Sequence, residues 1–183
     1  MTKQEKTAAD ISKSESDRLV QRTLVVFKPD AVQRGIVGEI LTRFERVGLK
    51  IVAMKMVNPD KDHYYRHYEG ISQMISRRGQ KAFDQTLQFM TSGPVIAMVL
   101  EGVEAVPLVR KLVGSTEPAS ADVGTIRGDY AHMNFGYADA ENIGVPNLIH
   151  ASGNIEEARA EVAHWFTVEE VQTYHNPSEQ FTR

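Results

Sequence analysis

Two spacings of apolar residues alternate along this chain: short unbroken runs, and stretches where they recur every three or four positions. Thr23-Leu24-Val25-Val26-Phe27 is apolar and β-branched and stops at Lys28-Pro29-Asp30, which predicts a strand followed by a turn. Ile36, Val37, Ile40, Leu41, Phe44 and Val47 then follow helical spacing, and Gly48 supplies a stop. Leu49 to Val57 reads as a second strand, ended by Asn58-Pro59. From Asp60 to Met90 the pattern is polar and aromatic and predicts helix in pieces. His63, Tyr64, His67 and Tyr68 lie on the first piece, and Phe83, Leu87 and Met90 form one stripe of a second, Gln80 to Met90.

Pro94 to Leu100 has almost no polar residue and suits a strand buried on both faces. Val103 to Val113 predicts a helix with Pro107 near its first turn, where a missing N–H costs little. Gly114 to Asn147 has no strong period and is expected to be a long ordered loop region. Leu148 to Ser152 is a last short strand. Asn154 with Glu157 then fits an N-cap, and Ile155, Ala158, Val162 and Trp165 form the expected buried stripe of the next helix. Thr167 with Glu170 repeats that signature for a short final helix.

The order β-α-β-α-β-α-β predicts an α/β sandwich of ferredoxin-like type, with four antiparallel strands and helices on one face of the sheet. Length supports one domain over residues 23–183, preceded by a polar extension over 1–22 that has no apolar stretch for a signal or membrane span. Net charge is −3, so no basic field covers the molecule, and sequence-specific nucleic-acid binding is not expected. Cysteine is absent, which excludes disulfides and thiolate metal sites and is compatible with a reducing cytoplasm, the expected location.

Phosphate-loop and dinucleotide glycine motifs are both missing. His63 and His67 lie four apart without an acidic partner between them, which reads as a solvated helix face; no metal ligand is assigned. The informative run is Asn147 to Asn154. It delivers His150 to a strand end, and Ser152 or Asn154 then opens a helix that can return Glu161 to the same ring. A histidine at a strand end is also an ordinary structural residue, and Glu161 an ordinary helix glutamate. Lys28, Arg110, Thr116 and Arg127 each stand at the margin of an element. Alone each is a surface residue; with His150 they supply the positive charge and positioning that phosphoryl transfer requires. Neutral imidazole is a nucleophile near pH 7, and a partner on its other nitrogen fixes its tautomer.

The segments Lys28-Pro29-Asp30-Ala31-Val32-Gln33-Arg34-Gly35, Ser92-Gly93-Pro94-Val95, Gly124-Thr125-Ile126-Arg127-Gly128-Asp129 and Asn147-Leu148-Ile149-His150-Ala151-Ser152 resemble nucleoside diphosphate kinases, in that family's order, over Arg22 to Phe166. The resemblance implies a phosphorylated histidine at His150, assisted by Glu161 and Ser152, with Tyr68 beside the imidazole. It implies that Lys28, Arg110, Thr116, Arg127 and Asn147 hold the phosphates and ribose of ATP and other nucleoside tri- and diphosphates. Magnesium would arrive bound to those phosphates, and the reaction would be ping-pong. A homo-oligomer, hexamer or tetramer of dimers, is also implied. A relative that keeps the fold without turnover would be expected to lack the histidine or the lysine, and both are here.

The chain departs from the family in three places. Ala151 and Gly153 replace the glycine and aspartate of its His-Gly-Ser-Asp run. About six extra residues between Tyr68 and Ser92 shift the base-stacking position to Ala82, with Phe83, the ring assigned to the base, next to it. About ten more separate Arg127 from Asn147 and bring Phe135 and Tyr137; this insertion could change the oligomeric state, add a base contact from either ring, or both.

Overall fold

The computed structural model describes residues 19–182. Four strands form one antiparallel sheet in the order β2-β3-β1-β4: β1 is Val20–Phe27, β2 Lys50–Val57, β3 Val95–Val103 and β4 Ile149–Ala151. β1 and β3, the central pair, run in register from Val20 opposite Val103 to Phe27 opposite Ile96. The strand begins three residues before Thr23 because its polar start finds partners: Arg22 Nε donates to Glu101 at 2.9 Å, and the Val106 N–H to the Gln21 side chain at 3.1 Å. The rest of the expected extension, residues 1–18, lies outside the described residues.

Helices α1 (Pro29–Gln33) and α2 (Val37–Arg46) follow β1, and α3 (Lys61–Tyr65) follows β2 and widens into a π turn over Arg66–Ile71. Next come α4 (Met74–Arg78) and α5 (Gln80–Met90); α6 (Ala105–Val113) follows β3. The long region before β4 holds α7 (Ile126–Tyr130) and α8 (Phe135–Ala140), and α9 (Ile155–Trp165) follows β4. A short α10 (Glu179–Thr182) comes last.

The expectation of helices on one face is overturned. Val25, Phe27, Met98 and Leu100 pack with α2 and α6 on one side, while Leu24, Val26, Ala97 and Val99 pack with α3, α5 and α9 on the other. Leu24 to Phe27 have no exposed surface at all. Successive strand side chains point to opposite faces, so a run apolar at every position needs cover on both.

Two helix expectations are also corrected. Thr167 and Glu170 do form half of the capping pair, the Thr167 N–H donating to the Glu170 carboxylate at 2.8 Å, but the segment closes as a turn. In α9 the buried positions are Ala158, Glu161 and Trp165, and Ile155 is exposed. The buried stripe therefore includes an acid. None of the described helices is long and apolar enough to cross a membrane.

Candidate active site

His150 sits in β4 opposite Val26 of β1, so the sheet core sets its height and direction. Asn154 caps α9, its Oδ1 accepting the Glu157 N–H at 2.8 Å, which fixes the helix start four residues past the histidine. Two turns later Glu161 returns beneath the ring. His150 Nε2 lies 3.0 Å from each Glu161 oxygen, and the Ser152 hydroxyl donates to Oε2 at 2.6 Å. Ser152 is itself held by the Leu24 N–H at 3.2 Å. Because a carboxylate accepts, Nε2 carries the proton, and the Nδ1 lone pair is left for the cleft. Burial pushes the Glu161 carboxyl up, but the attraction of His150, its hydrogen bond and that of Ser152 outweigh burial and hold it below its ordinary value.

The π turn brings two neighbours onto the imidazole. The His67 ring lies edge-on to His150 with centroids 4.4 Å apart, and Tyr68 is edge-on at 6.2 Å. His67 is 1% exposed, which corrects its reading as part of a solvated face. The Trp165 N–H donates to its Nδ1 at 3.2 Å. Burial, with His150 next, drives the His67 pKa well below its ordinary value, so the ring is neutral. Donor atoms of His67, His150 and Glu161 lie within 4.8 Å of one another, a set a metal could use. Those of His150 and Glu161 are engaged with each other, and Nδ1 of His67 with Trp165, so the trio is organised around the imidazole.

A cleft of about 770 Å³ opens above Nδ1. Lys28, Tyr68, Arg110, Thr116, Arg127, Asn147 and His150 all line it, so seven of the expected residues converge from six segments of chain. Ser152 and Glu161 lie behind the ring. Lys28 Nζ donates to Asn147 Oδ1 at 2.7 Å, and Asn147 Nδ2 to the Thr116 carbonyl at 2.7 Å. Burial, then Arg127, lower the Lys28 pKa to about 8, with Asp30 acting against them. Arg127 is engaged differently from a free clamp. Its guanidinium makes four bonds, to the carbonyls of Asn147, Gly114, Ser115 and Ile149, at 2.5–3.1 Å. One of its five N–H groups has no bond among the described residues and is left for a ligand. Burial and then Arg110 lower its pKa to about 10, and it stays charged.

The backbone joining these groups is strained. Leu148 has φ +70°, and the Ile149 N–H closes a three-residue turn onto the Asn147 carbonyl at 2.8 Å. A left-handed leucine costs about 1–2 kcal/mol, comparable to the roughly 1 kcal/mol each of two bonds that hold it. Those bonds run from the Leu148 N–H to Asp30 Oδ2 and from the Lys28 N–H to the Leu148 carbonyl, both 2.9 Å.

Phe83 is not in the cleft. It is 4% exposed in the core with Tyr65 edge-on at 5.7 Å, whereas Ala82 lines the cleft. The reason is its helical stripe: Phe83 shares the sheet-facing side with Met90, and the opposite side of α5 presents Ala82, Gln85, Thr86 and Phe89. Phe135 does line the cleft, with the Arg78 guanidinium 5.6 Å above its ring; Tyr137 is exposed and does not. Gly153 leaves room for a carboxylate: the Glu157 side chain accepts its N–H at 3.1 Å, and a Cβ at 153 would lie 2.6 Å from Glu157 Oε2.

Sequence reasoning missed Asp30, His67, Arg78, Phe89 and Glu157. Asp30 and His67 are sequence neighbours of assigned residues, and Phe89 follows from the second face of α5. Arg78 carries no local signal and Glu157 signals only a helix start; the fold brings both to the cleft.

A sequence profile of the family described as nucleoside diphosphate kinase matches residues 21–171. The chain is 40% identical over 161 residues to the nucleoside diphosphate kinase of Borreliella burgdorferi, covering 88% of this chain and 96% of that protein. It is 43% identical over 164 residues to the nucleoside diphosphate kinase of Pyrococcus furiosus, covering 90% and 94%. Among solved structures, the Borrelia burgdorferi nucleoside-diphosphate kinase, a transition-state mimic with vanadate and ADP bound, superposes with a TM-score of 0.87 at 39% identity, over 90% of this chain and 98% of that one. An NDP kinase from Pyrobaculum aerophilum gives a TM-score of 0.76 at 39% identity, covering 84% and 100%.

Proposed function

This chain belongs to the nucleoside diphosphate kinase family of phosphotransferases, and from that premise we propose that it transfers the γ-phosphoryl group by a ping-pong route through His150. The observation that carries the reading is the bond from His150 Nε2 to Glu161, which leaves Nδ1 bare under a cleft lined by Lys28, Arg110 and Arg127.

In the first half-reaction the Nδ1 lone pair attacks the γ-phosphorus of a nucleoside triphosphate. The bond to the bridging oxygen breaks, and the nucleoside diphosphate leaves with that electron pair. The ring becomes cationic as the N–P bond forms, and the Glu161 carboxylate offsets that charge through the Nε2 proton. In the second half a terminal oxygen of another nucleoside diphosphate attacks the phosphorus, and Nδ1 recovers its lone pair. Lys28 and Arg110 meet the transferring oxygens, Arg127 adds charge and one donor, and Thr116 and Asn147 hold phosphate and ribose. The Tyr68 hydroxyl, buried without a partner among the described residues, is free to donate to a phosphoryl oxygen on the ring.

Magnesium belongs to the substrate in this reading. Among the described residues the cleft-lining acids are Asp139 and Glu157, and Glu157 lies 3.4 Å from Arg77, so the cleft fits a metal carried in on phosphate better than a resident one. The Glu157 carboxylate, occupying the space a side chain at 153 would take, is the group to accept from that ion's waters. Phe135 under Arg78 is the ring we assign to the base, since Tyr68 serves the imidazole and Phe89 lies 5.9 Å beneath Lys28. The enzyme would act in the cytoplasm as a homo-oligomer built from dimers.

Incubation with γ-labelled ATP should give an acid-labile, alkali-stable phosphoprotein that loses its label to an added nucleoside diphosphate. His150→Ala should stay unlabelled, and labelling equal to the parent's would refute the mechanism.

A further inference from the structure

Asp30 has no part in the chemistry set out above, yet it grips the segment on which most of the cleft depends. Its Oδ2 accepts the Leu148 N–H, and the Lys28 N–H donates to the Leu148 carbonyl, so one short turn holds both polar groups of a left-handed leucine. On either side stand Asn147, bonded to Lys28 and Thr116, and Ile149, whose carbonyl receives Arg127. His150 follows. The other oxygen, Oδ1, is buried and makes no hydrogen bond of good geometry among the described residues, though the Ala31 and Asp30 N–H groups lie close enough to favour the charged form.

An asparagine would make the same bond to Leu148 through its side-chain carbonyl. The Leu148 bond therefore does not require a carboxylate, and burying a charged group works against the fold. The charge has another object. Lys28 at the end of β1, Arg127 on α7 and Arg78 on α4 bring positive charge to one cleft from three separate elements.

We propose that Asp30 is a positioning residue for phosphoryl transfer: one oxygen clasps the left-handed turn at Leu148, and its negative charge balances Lys28 and Arg127. The proposal rests on the phosphoryl-transfer reading of the cleft. Burial, Arg127 and Arg78 all push the Lys28 ammonium toward losing its proton, and Asp30 opposes them. Asp30 acts on Arg127 in the same sense, and Lys28 in turn bears on His67. Burial raises the Asp30 carboxyl above its ordinary value, with Lys28 and the N–H groups of Leu148, Ala31 and Asp30 drawing it back. A carboxyl with a raised folded pKa contributes stability only below its unfolded value and loses it as pH rises. At neutral pH the ionised form is thus a burden on stability that asparagine would lift.

Asp30→Asn and Asp30→Ala should be compared with the parent by thermal midpoint, by the pH dependence of kcat/KM, and by NMR titration of ¹³C-labelled lysine, with Lys28 assigned through Lys28→Arg. In Asp30→Asn the midpoint at pH 7.5 should equal or exceed the parent's, and Lys28 should titrate on the order of one pH unit lower. The alkaline limb of kcat/KM should follow it, with about a fivefold loss at pH 8. Asp30→Ala should melt lower as well, because the turn loses its clasp. An unmoved Lys28 titration in Asp30→Asn overturns the proposal. So does an Asp30→Asn midpoint as low as that of Asp30→Ala, which would make the charge structural. A parent that forms no phosphohistidine while its Lys28 still responds to Asp30 removes the phosphoryl-transfer reading and leaves the electrostatic coupling standing.

Discussion

Glu161 has no exposed surface, and burial by itself would drive its carboxyl to hold a proton. The Ser152 hydroxyl and the His150 N–H, both at bonding distance, keep it charged instead. That charge fixes which ring nitrogen is bare, so its loss should affect the chemical step more than nucleotide affinity. Glu161→Gln presents an amide that can donate as well as accept, allowing the proton to move to Nδ1. We expect phosphoenzyme formation to slow roughly tenfold to hundredfold while the ADP dissociation constant stays within about twofold. An unchanged single-turnover rate would remove Glu161 from the catalytic set. The pair was legible from spacing, because a capped helix after a strand returns its second turn toward the strand end. That Glu161 is buried was not, since an acid on an amphipathic helix is ordinarily solvated.

Helix α5 shows where element-scale reading succeeds and where it misassigns. Its span and its sheet-facing stripe follow from period alone, and that same period puts Phe83 in the core. A count along the family pattern points to Phe83 for the base, and the helix face overrules it. The opposite wall comes from the long region before β4, where Gly144 approaches so closely that a Cβ would lie 2.6 Å from the Gln85 carbonyl oxygen. Farther along, Phe135 of α8 meets Arg78 of α4, so the two segments that exceed the family pattern meet at the cleft. Base stacking on an aromatic ring is worth about 1–3 kcal/mol. Phe135→Ala should therefore raise KM for nucleoside diphosphates roughly tenfold and leave activity on base-free ribose 5-diphosphate unchanged. Equal losses on both substrates would rule out a base contact.

At the scale of the whole molecule, the sheet is covered on both faces and its exposed apolar surface lies elsewhere. Strand β2 forms one edge. The C-terminal segment covers part of it, the Gln172 N–H donating to the Val52 carbonyl at 2.7 Å and the Tyr174 hydroxyl to that of Ile51 at 2.8 Å. Met54 and Met56 farther along remain 44% and 58% exposed. An apolar edge strand invites pairing with another chain. Light scattering should give an even multiple of the 20.5 kDa chain, and Met56→Lys should lower it. A particle of 20.5 kDa in the parent would refute the oligomer reading.

By itself the sequence determined the four strands, the main helices and the pairing of His150 with Glu161, because periodicity, turns and capping are local. Tertiary structure decided which face each residue uses. It placed helices on both sides of the sheet, sent Phe83 inward, and bound Arg127 to four carbonyls. It also set Asp30 against a left-handed leucine 118 positions away. Burial and hydrogen-bond partnership depend on segments far apart in the chain, and those are the quantities that set a side chain's charge and reach.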